Sequence, residues 1–183
     1  MSASIYDIPV KQIDGMVSSL TPYRGKVLLV VNVASKCGLT PQYAGLESLY
    51  QAKRAEGLEL LAFPANNFGG QEPGTEAEIK EFCSVKFDVH FPLFAKISVV
   101  GDDQHPLYTK LTAAQPKAIG EGPFREKLKA YGVNPKNPAD VLWNFEKFLI
   151  DRKGNVVARF SPDVTADNPL LVAAIDAELA KAA

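Results

Sequence analysis

One stretch constrains the fold of this chain more than any other. Val27-Leu28-Leu29-Val30-Val31-Asn32-Val33-Ala34 is apolar except at Asn32 and rich in β-branched residues. A run that does not alternate apolar with polar reads as a strand covered on both faces, as at the centre of a parallel sheet. It stops at Ser35-Lys36-Cys37-Gly38-Leu39. Thr40 then suits a helix N-cap and Pro41 the first helical position, and Tyr43, Leu46, Leu49 and Tyr50 recur at helical spacing up to an end near Gly57. Leu58 to Pro64 is a second buried strand. Strand, helix and strand in that order predict a right-handed parallel βαβ unit.

Around this unit the chain reads as additions. Ile5 to Val10 and Val17 to Leu20 flank Asp14-Gly15, which predicts an N-terminal β-hairpin. Asn66 to Gly74 is a loop by composition, and Thr75-Glu76-Ala77-Glu78 is a capping box opening a short helix to about Cys83. Ala95 to Val100 is expected to be a strand, and His105-Pro106 to open a helix through Leu107, Leu111 and Thr112. Residues 115 to 140, rich in Pro, Gly, Lys and Asn, read as a long surface excursion. Val141 to Ile150 and Asn155 to Phe160 are expected to form a hairpin around Asp151-Arg152-Lys153-Gly154. Asn168 to Ala182 then reads as an amphipathic helix with Leu171, Ile175 and Leu179 inward. The order is βαβ, then ββα: an α/β, thioredoxin-like layout with a central mixed sheet flanked by helices. With no repeat and no linker, residues 1–183 are read as one domain.

Charge and composition remove several classes of function. A net charge of −1 provides no broad basic field, so nucleic acid is not the expected partner. No apolar run approaches the roughly 20 residues that cross a bilayer, and the N-terminus lacks a secretory pattern. The expected location is the cytoplasm, without membrane insertion. Two cysteines and two histidines, His90 and His105, lack the close spacing of a zinc site, so neither a metal nor another cofactor is expected, and the histidines read as surface or capping residues. There is no nucleophile elbow, phosphate loop or dinucleotide fingerprint.

Cys37 is different. It stands where a buried parallel strand ends and a helix begins, and reactive groups of open α/β sheets collect there. Unpaired N–H groups and the positive end of a helix favour a thiolate, the nucleophilic form of cysteine, and Lys36 adds a nearby cation. A disulfide exchanger would carry Cys-x-x-Cys at this place. Position 40 is Thr, which favours a single attacking sulfur.

Three segments resemble one known family. Asn32-Val33-Ala34-Ser35-Lys36-Cys37-Gly38-Leu39-Thr40-Pro41-Gln42-Tyr43 is similar to the nucleophile segment of glutathione peroxidases. Phe63-Pro64-Ala65-Asn66-Asn67-Phe68-Gly69-Gly70-Gln71-Glu72-Pro73-Gly74 resembles their second motif, and Leu142-Trp143-Asn144-Phe145-Glu146-Lys147-Phe148-Leu149 their third. The likeness covers nearly the whole chain, least surely at residues 115–140. It departs from many relatives at Ala65, where they carry Cys, and at Asn67, where they carry Gln.

The resemblance implies an enzyme that reduces hydrogen peroxide and organic or lipid hydroperoxides, with a catalytic tetrad of Cys37, Gln71, Trp143 and Asn144. The amide N–H groups of Gln71 and Asn144 and the indole N–H of Trp143 are neutral donors suited to an anionic sulfur and to the leaving oxygen. Leu39, Phe68 and Phe145 either line an apolar rim or serve packing. The resemblance further implies that Cys83 resolves the Cys37 sulfenic acid as a disulfide, for which the 75–90 segment would rearrange, with Phe87, His90 and Phe91 as anchors at its far end. Thioredoxin is then the preferred reductant. Glutathione is the other candidate, with Lys36, Lys86 and Arg125 as potential partners of its carboxylates. A redox sensor passing oxidation from Cys37 and Cys83 to a partner protein would use the same residues. A binding module without catalysis would be expected to lack a tetrad residue, and none is missing. The 115–140 excursion resembles the assembly region of tetrameric relatives, which leaves the oligomeric state open.

Overall fold

A computed structural model describes residues 4–182. A four-stranded mixed sheet runs in the order β4-β3-β5-β6. Strand β3 (Val27–Val33) pairs in parallel with β4 (Leu58–Pro64) and antiparallel with β5 (Lys147–Ile150), which pairs antiparallel with β6 (Val156–Phe160). Every residue of β3 is buried, as expected of a strand covered on both faces. Val27, Leu29, Val31 and Val33 face helices α1 (Gln42–Lys53), α2 (Glu76–Phe87) and α5 (Pro169–Leu179). Leu28 and Val30 face the N-terminal segment and α3 (Pro106–Ala114).

The signals read from turns and caps mostly mark element ends. Gly57, in the left-handed region at φ 111°, closes the single 3-10 turn that follows α1. Thr75 and Glu78 form a complete capping box at the start of α2, and Asn168 and His105 cap α5 and α3. In the β5–β6 turn the Asp151 carboxylate accepts from the N–H groups of Lys153 and Asn155, both at 2.9 Å. Gly154 is required there: at φ 88° a Cβ would come within 2.7 Å of the Tyr6 ring.

The structure departs from the expected elements at several places. The N-terminal hairpin shrinks to β1 (Val10–Lys11) and β2 (Val17–Ser18), because Ile5–Asp7 winds into a 3-10 turn capped by Ser4. Helix α1 begins at Gln42 with Pro41 as its N-cap, one residue later than Thr40 capping would place it. Residues 95–100 form no strand, because their N–H groups go to unrelated partners: Ala95 to Lys11 O, Ile97 to Pro64 O and Val99 to Asn67 Oδ1. Helix α2 continues past Cys83 to Phe87 and ends at Asp88, which adopts φ 51°. The 115–140 excursion contains a helix of its own, α4 (Glu121–Ala130), whose Phe124 and Leu128 pack on Leu142. The three-and-four spacing of α4 was masked by Gly122 and Pro123.

The strand expected from Val141 forms only from Lys147, and this change shapes the rest of the molecule. Side chains take over from the ladder before that point. Glu146 Oε1 accepts the Leu142 N–H at 3.2 Å, and Asn32 Nδ2 donates to Trp143 O at 3.1 Å. The Phe145 N–H donates to Asn32 O at 2.6 Å, and Phe145 stands at φ 69°. Such a conformation is strained for a bulky residue and persists only where neighbours fix it.

Lys147 gives the fold a pH signature. Its ammonium is wholly buried, donating to Gln42 Oε1 at 2.7 Å and Pro162 O at 2.9 Å. Burial pushes its pKa down to about 7, against the opposing pull of Asp163 and Glu146. Between about 7 and the ordinary lysine value the unfolded chain binds the proton and the folded chain does not, so this residue's contribution to stability increases with pH across that window. The melting temperature of wild type relative to Lys147→Met is therefore expected to rise from pH 7 to pH 10. A constant difference would contradict it.

Candidate active site

Cys37 lies in a turn between β3 and α1 and is 8% exposed. Thr40 holds that turn rather than capping the helix. Its hydroxyl accepts the Cys37 N–H at 2.9 Å and donates to Ala34 O at 2.8 Å. The Leu39 N–H points at the sulfur, with N to Sγ 3.3 Å. The sulfur thus has a backbone donor directed at it, the environment an anionic sulfur needs.

Gln71 is brought to the same end of the sheet through its main chain. Its carbonyl accepts the N–H of Lys36, the residue before Cys37, at 3.0 Å. Asn144, wholly buried, donates from Nδ2 to Gln71 Oε1 at 3.0 Å. This bond turns the N–H end of the Gln71 amide away from Asn144. Trp143, half-buried, contacts Phe68 with ring centroids 5.4 Å apart and packs in the same cluster as Leu39. Gly69 separates the two side chains: a Cβ on it would sit 3.5 Å from Gln71 Cγ and 3.6 Å from the Trp143 ring. Asn32, at the end of β3, binds Trp143 and Phe145 and so ties this loop to the strand that delivers Cys37. Phe145 has no exposed surface and serves packing, whereas Leu39 is half-buried.

The second thiol lies deeper. Cys83 faces inward from α2 in the same apolar cluster as Cys37, and both thiols are free. Burial raises the Cys83 pKa to about 11; the neighbouring Tyr43 hydroxyl opposes this and Glu72 adds to it. Tyr43 sits among the rings of Phe82, Phe87, Phe91 and Phe145, with centroids 5.4–6.5 Å apart. Beyond α2, Glu47 accepts the His90 N–H and meets His90 Nδ1, both at 2.8 Å. A cleft between α2 and the Cys37 turn is lined by Ser35, Lys36, Glu72, Ile79 and Phe82. Glu72 is buried, and burial raises its pKa against the opposing effect of Ser35.

Lys36 and Lys86 are exposed, but Arg125 is engaged within the excursion, 3.5 Å from Glu121 and donating to Pro138 O. Among the described residues no cluster of three or more His, Cys, Asp or Glu is placed to hold a metal. No helix among them is long and apolar enough to cross a membrane.

Comparison with known proteins now decides the family. Residues 5–112 match the model of the family described as glutathione peroxidase. The chain belongs to the glutathione peroxidase family. It is 49% identical to the thioredoxin/glutathione peroxidase BtuE of Escherichia coli K12, over 99% of this chain and 100% of that one. The crystal structure of T. cruzi GPX1 superposes with a TM-score of 0.71 at 32% identity, covering 97% of both chains. A thioredoxin family protein of Chlorobium tepidum, a thiol:disulfide interchange protein, shares the fold at a TM-score of 0.58 and 13% identity, over 98% of this chain and 99% of that one. The fold is thioredoxin-like, and this glutathione peroxidase family member is a thiol peroxidase, acting on hydroperoxides with a thiol reductant.

The residues that hold this site are not singled out by the sequence. Thr40 suits a helix cap there but braces the Cys37 turn in the fold, and Asn32, Glu146 and Arg159 have no role that the sequence alone assigns. The available signal was polarity in apolar company: Asn32 inside β3, Glu146 and Lys147 between two phenylalanines, and Arg159 beside Phe160.

Proposed function

We propose that the Cys37 sulfur is the peroxidatic nucleophile, that Gln71, Trp143 and Asn144 are its hydrogen-bonding partners in peroxide cleavage, and that Cys83 is the resolving thiol. The observation carrying this reading is the link of Gln71 to both sides of the site, by main chain to Lys36 and by side chain to Asn144. The thiolate attacks one peroxide oxygen. The S–O bond forms as the O–O bond breaks, the sulfur gives up two electrons, and the departing oxygen leaves as water or alcohol once protonated. Neutral N–H donors stabilise charge on that oxygen as it develops.

Cys37 is left as a sulfenic acid. Attack by the Cys83 thiolate forms the S–S bond, breaks the S–O bond and releases water. The burial and high pKa of Cys83 mean that α2 must loosen before that thiol reacts. Candidate restraints are the Tyr43 ring contacts and the Glu47–His90 pair. A dithiol then reduces the disulfide by exchange. Thioredoxin is the proposed donor, and the cytoplasm, where it keeps thiols reduced, the proposed location. The Escherichia coli relative, a thioredoxin/glutathione peroxidase by name, supports either donor. Hydrogen peroxide and organic hydroperoxides are the proposed substrates. A stoichiometric mixed disulfide with one partner protein, without turnover, would instead favour the sensor role.

Peroxide consumption with thioredoxin and with glutathione, side by side, tests the assignment. Cys83→Ser is expected to keep the first oxidation, accumulate a dimedone-reactive Cys37 and lose most thioredoxin-dependent turnover. Mass spectrometry of oxidised wild type should find a Cys37–Cys83 link. Full thioredoxin turnover by Cys83→Ser would reject the resolving role.

A further inference from the structure

An ion pair away from the reacting atoms holds the loop that carries Trp143 and Asn144. Glu146 and Arg159 are 0% and 1% exposed in their side chains. Arg159 Nε and Nη2 both bind Glu146 Oε2, at 2.8 and 2.6 Å. The other carboxylate oxygen, Oε1, takes the Leu142 N–H at 3.2 Å, so the glutamate closes a ring across residues 142 to 146. Trp143 and Asn144 are two of the three residues enclosed by that ring, with Phe145 the third.

Arg159 also fixes what packs behind the ring. Nη1 donates to the carbonyls of Gln115 and Ala139, both at 2.9 Å, and Nη2 to that of Asp140 at 3.0 Å. These carbonyls belong to the two ends of the 115–140 excursion. Between them, α4 sets Phe124 and Leu128 against Leu142, beside Trp143. One guanidinium therefore joins β6, both ends of the excursion and the Trp143 loop. Its planar fork can do this from a single position, which an ammonium cannot.

We propose that Glu146 and Arg159 are positioning residues for peroxide cleavage, holding the Trp143–Asn144 turn where its N–H donors meet the leaving oxygen. This rests on the reading that those two side chains act as donors. The pair does not touch the sulfur and takes no part in bond making. Its effect is geometric: the turn includes Phe145 at φ 69°, which relaxes once its surroundings let go. Displacing a catalytic group by about 1 Å can cost on the order of 100-fold in rate.

The test separates donor placement from sulfur reactivity. Iodoacetamide alkylation of Cys37 expels iodide and needs no donor for a leaving oxygen, whereas peroxide cleavage does. Both rates are measured on the full chain in a Cys83→Ser background, so that one thiol reports. Trp143, the single tryptophan, supplies the emission spectrum. Glu146→Leu with Arg159→Met replaces the pair by apolar groups. Glu146→Asp keeps the charge but shortens the reach to Leu142, and it decides the question on the same two rates if the double variant does not fold.

The expected result is a peroxide rate lower by about 10- to 100-fold, an alkylation rate reduced by much less because it reads only the sulfur's own hydrogen bonds, and a shifted Trp143 emission. An unchanged peroxide rate in a folded variant overturns the proposal. Equal loss of both reactions overturns it as well, since the pair would then act on the sulfur or the whole fold. Asn144→Ala is the control. If it leaves peroxide cleavage untouched, the donor reading fails; if it slows cleavage while the Glu146 variants do not, the positioning role alone fails.

Discussion

Cys37→Ser is expected to abolish hydroperoxide reduction with either thiol donor. Serine keeps the shape of the side chain and the backbone contacts that build the turn, with Thr40 Oγ1 accepting the N–H of residue 37 and donating to Ala34 O. Only the sulfur is lost. A hydroxyl neither ionises near neutral pH nor gives two electrons to a peroxide oxygen, so the S–O bond that starts the cycle has no counterpart. Where a reaction runs through one nucleophile, removing it costs on the order of 10⁶ in rate. Turnover should fall to the uncatalysed background, with the far-ultraviolet spectrum and melting temperature preserved. The measurement is steady-state peroxide consumption under both reductants, with wild type, Cys37→Ser and Cys83→Ser in parallel. Retained activity in a folded Cys37→Ser protein would move the chemistry to another group. Comparison with Cys83→Ser locates the loss: it should still consume one equivalent of peroxide, whereas Cys37→Ser should consume none.

The parts of the fold that were legible in the sequence are those fixed by local chemistry. The apolar run at 27–34, the capping box at Thr75 and the Asp151–Gly154 turn each name their element, and each stands where it was read. The Trp143 loop is not legible in the sequence because its conformation depends on partners far away in the chain. Val141 and Leu142 look like the start of a strand. What prevents it is Asn32, more than a hundred residues earlier, together with the Glu146 side chain. Helix α4 is hidden because Gly122 and Pro123 suggest a loop, whereas tertiary packing of Phe124 and Leu128 on Leu142 outweighs the low helix propensity of those two residues. For the site, position and motif singled out Cys37. The Asn144–Gln71 hydrogen bond and the clamp behind Trp143 appear only when the chain is folded, because each joins residues from separate segments.

Arg159→Met is expected to be among the most destabilising single substitutions in this protein. Breaking a buried ion pair from one side costs about 3–5 kcal/mol, because the remaining charge stays in a medium that cannot solvate it. That is a large part of the 5–15 kcal/mol typical of a whole domain. Here three backbone carbonyls lose their donor at the same time. The loss should depend on pH, in a direction set by Glu146. Burial raises that carboxyl to about 7, even with Arg159 pulling it down. The folded state therefore binds the extra proton between the ordinary glutamate value and about 7, and this residue's contribution to stability falls as pH rises through that window. Without Arg159 the carboxyl titrates higher still, so the decline extends to higher pH. Urea unfolding of wild type and Arg159→Met should accordingly diverge more at pH 8 than at pH 5. Glu146→Leu leaves a guanidinium that cannot shed its proton, so its cost should not be relieved on either side of neutrality. The double substitution removes both charges and should cost less than the sum of the two singles, a coupling of about 1–3 kcal/mol. Additive losses would mean that the two side chains stabilise the fold separately, through their backbone partners. Parallel pH profiles for wild type and Arg159→Met would mean that Glu146 does not titrate against Arg159 at all.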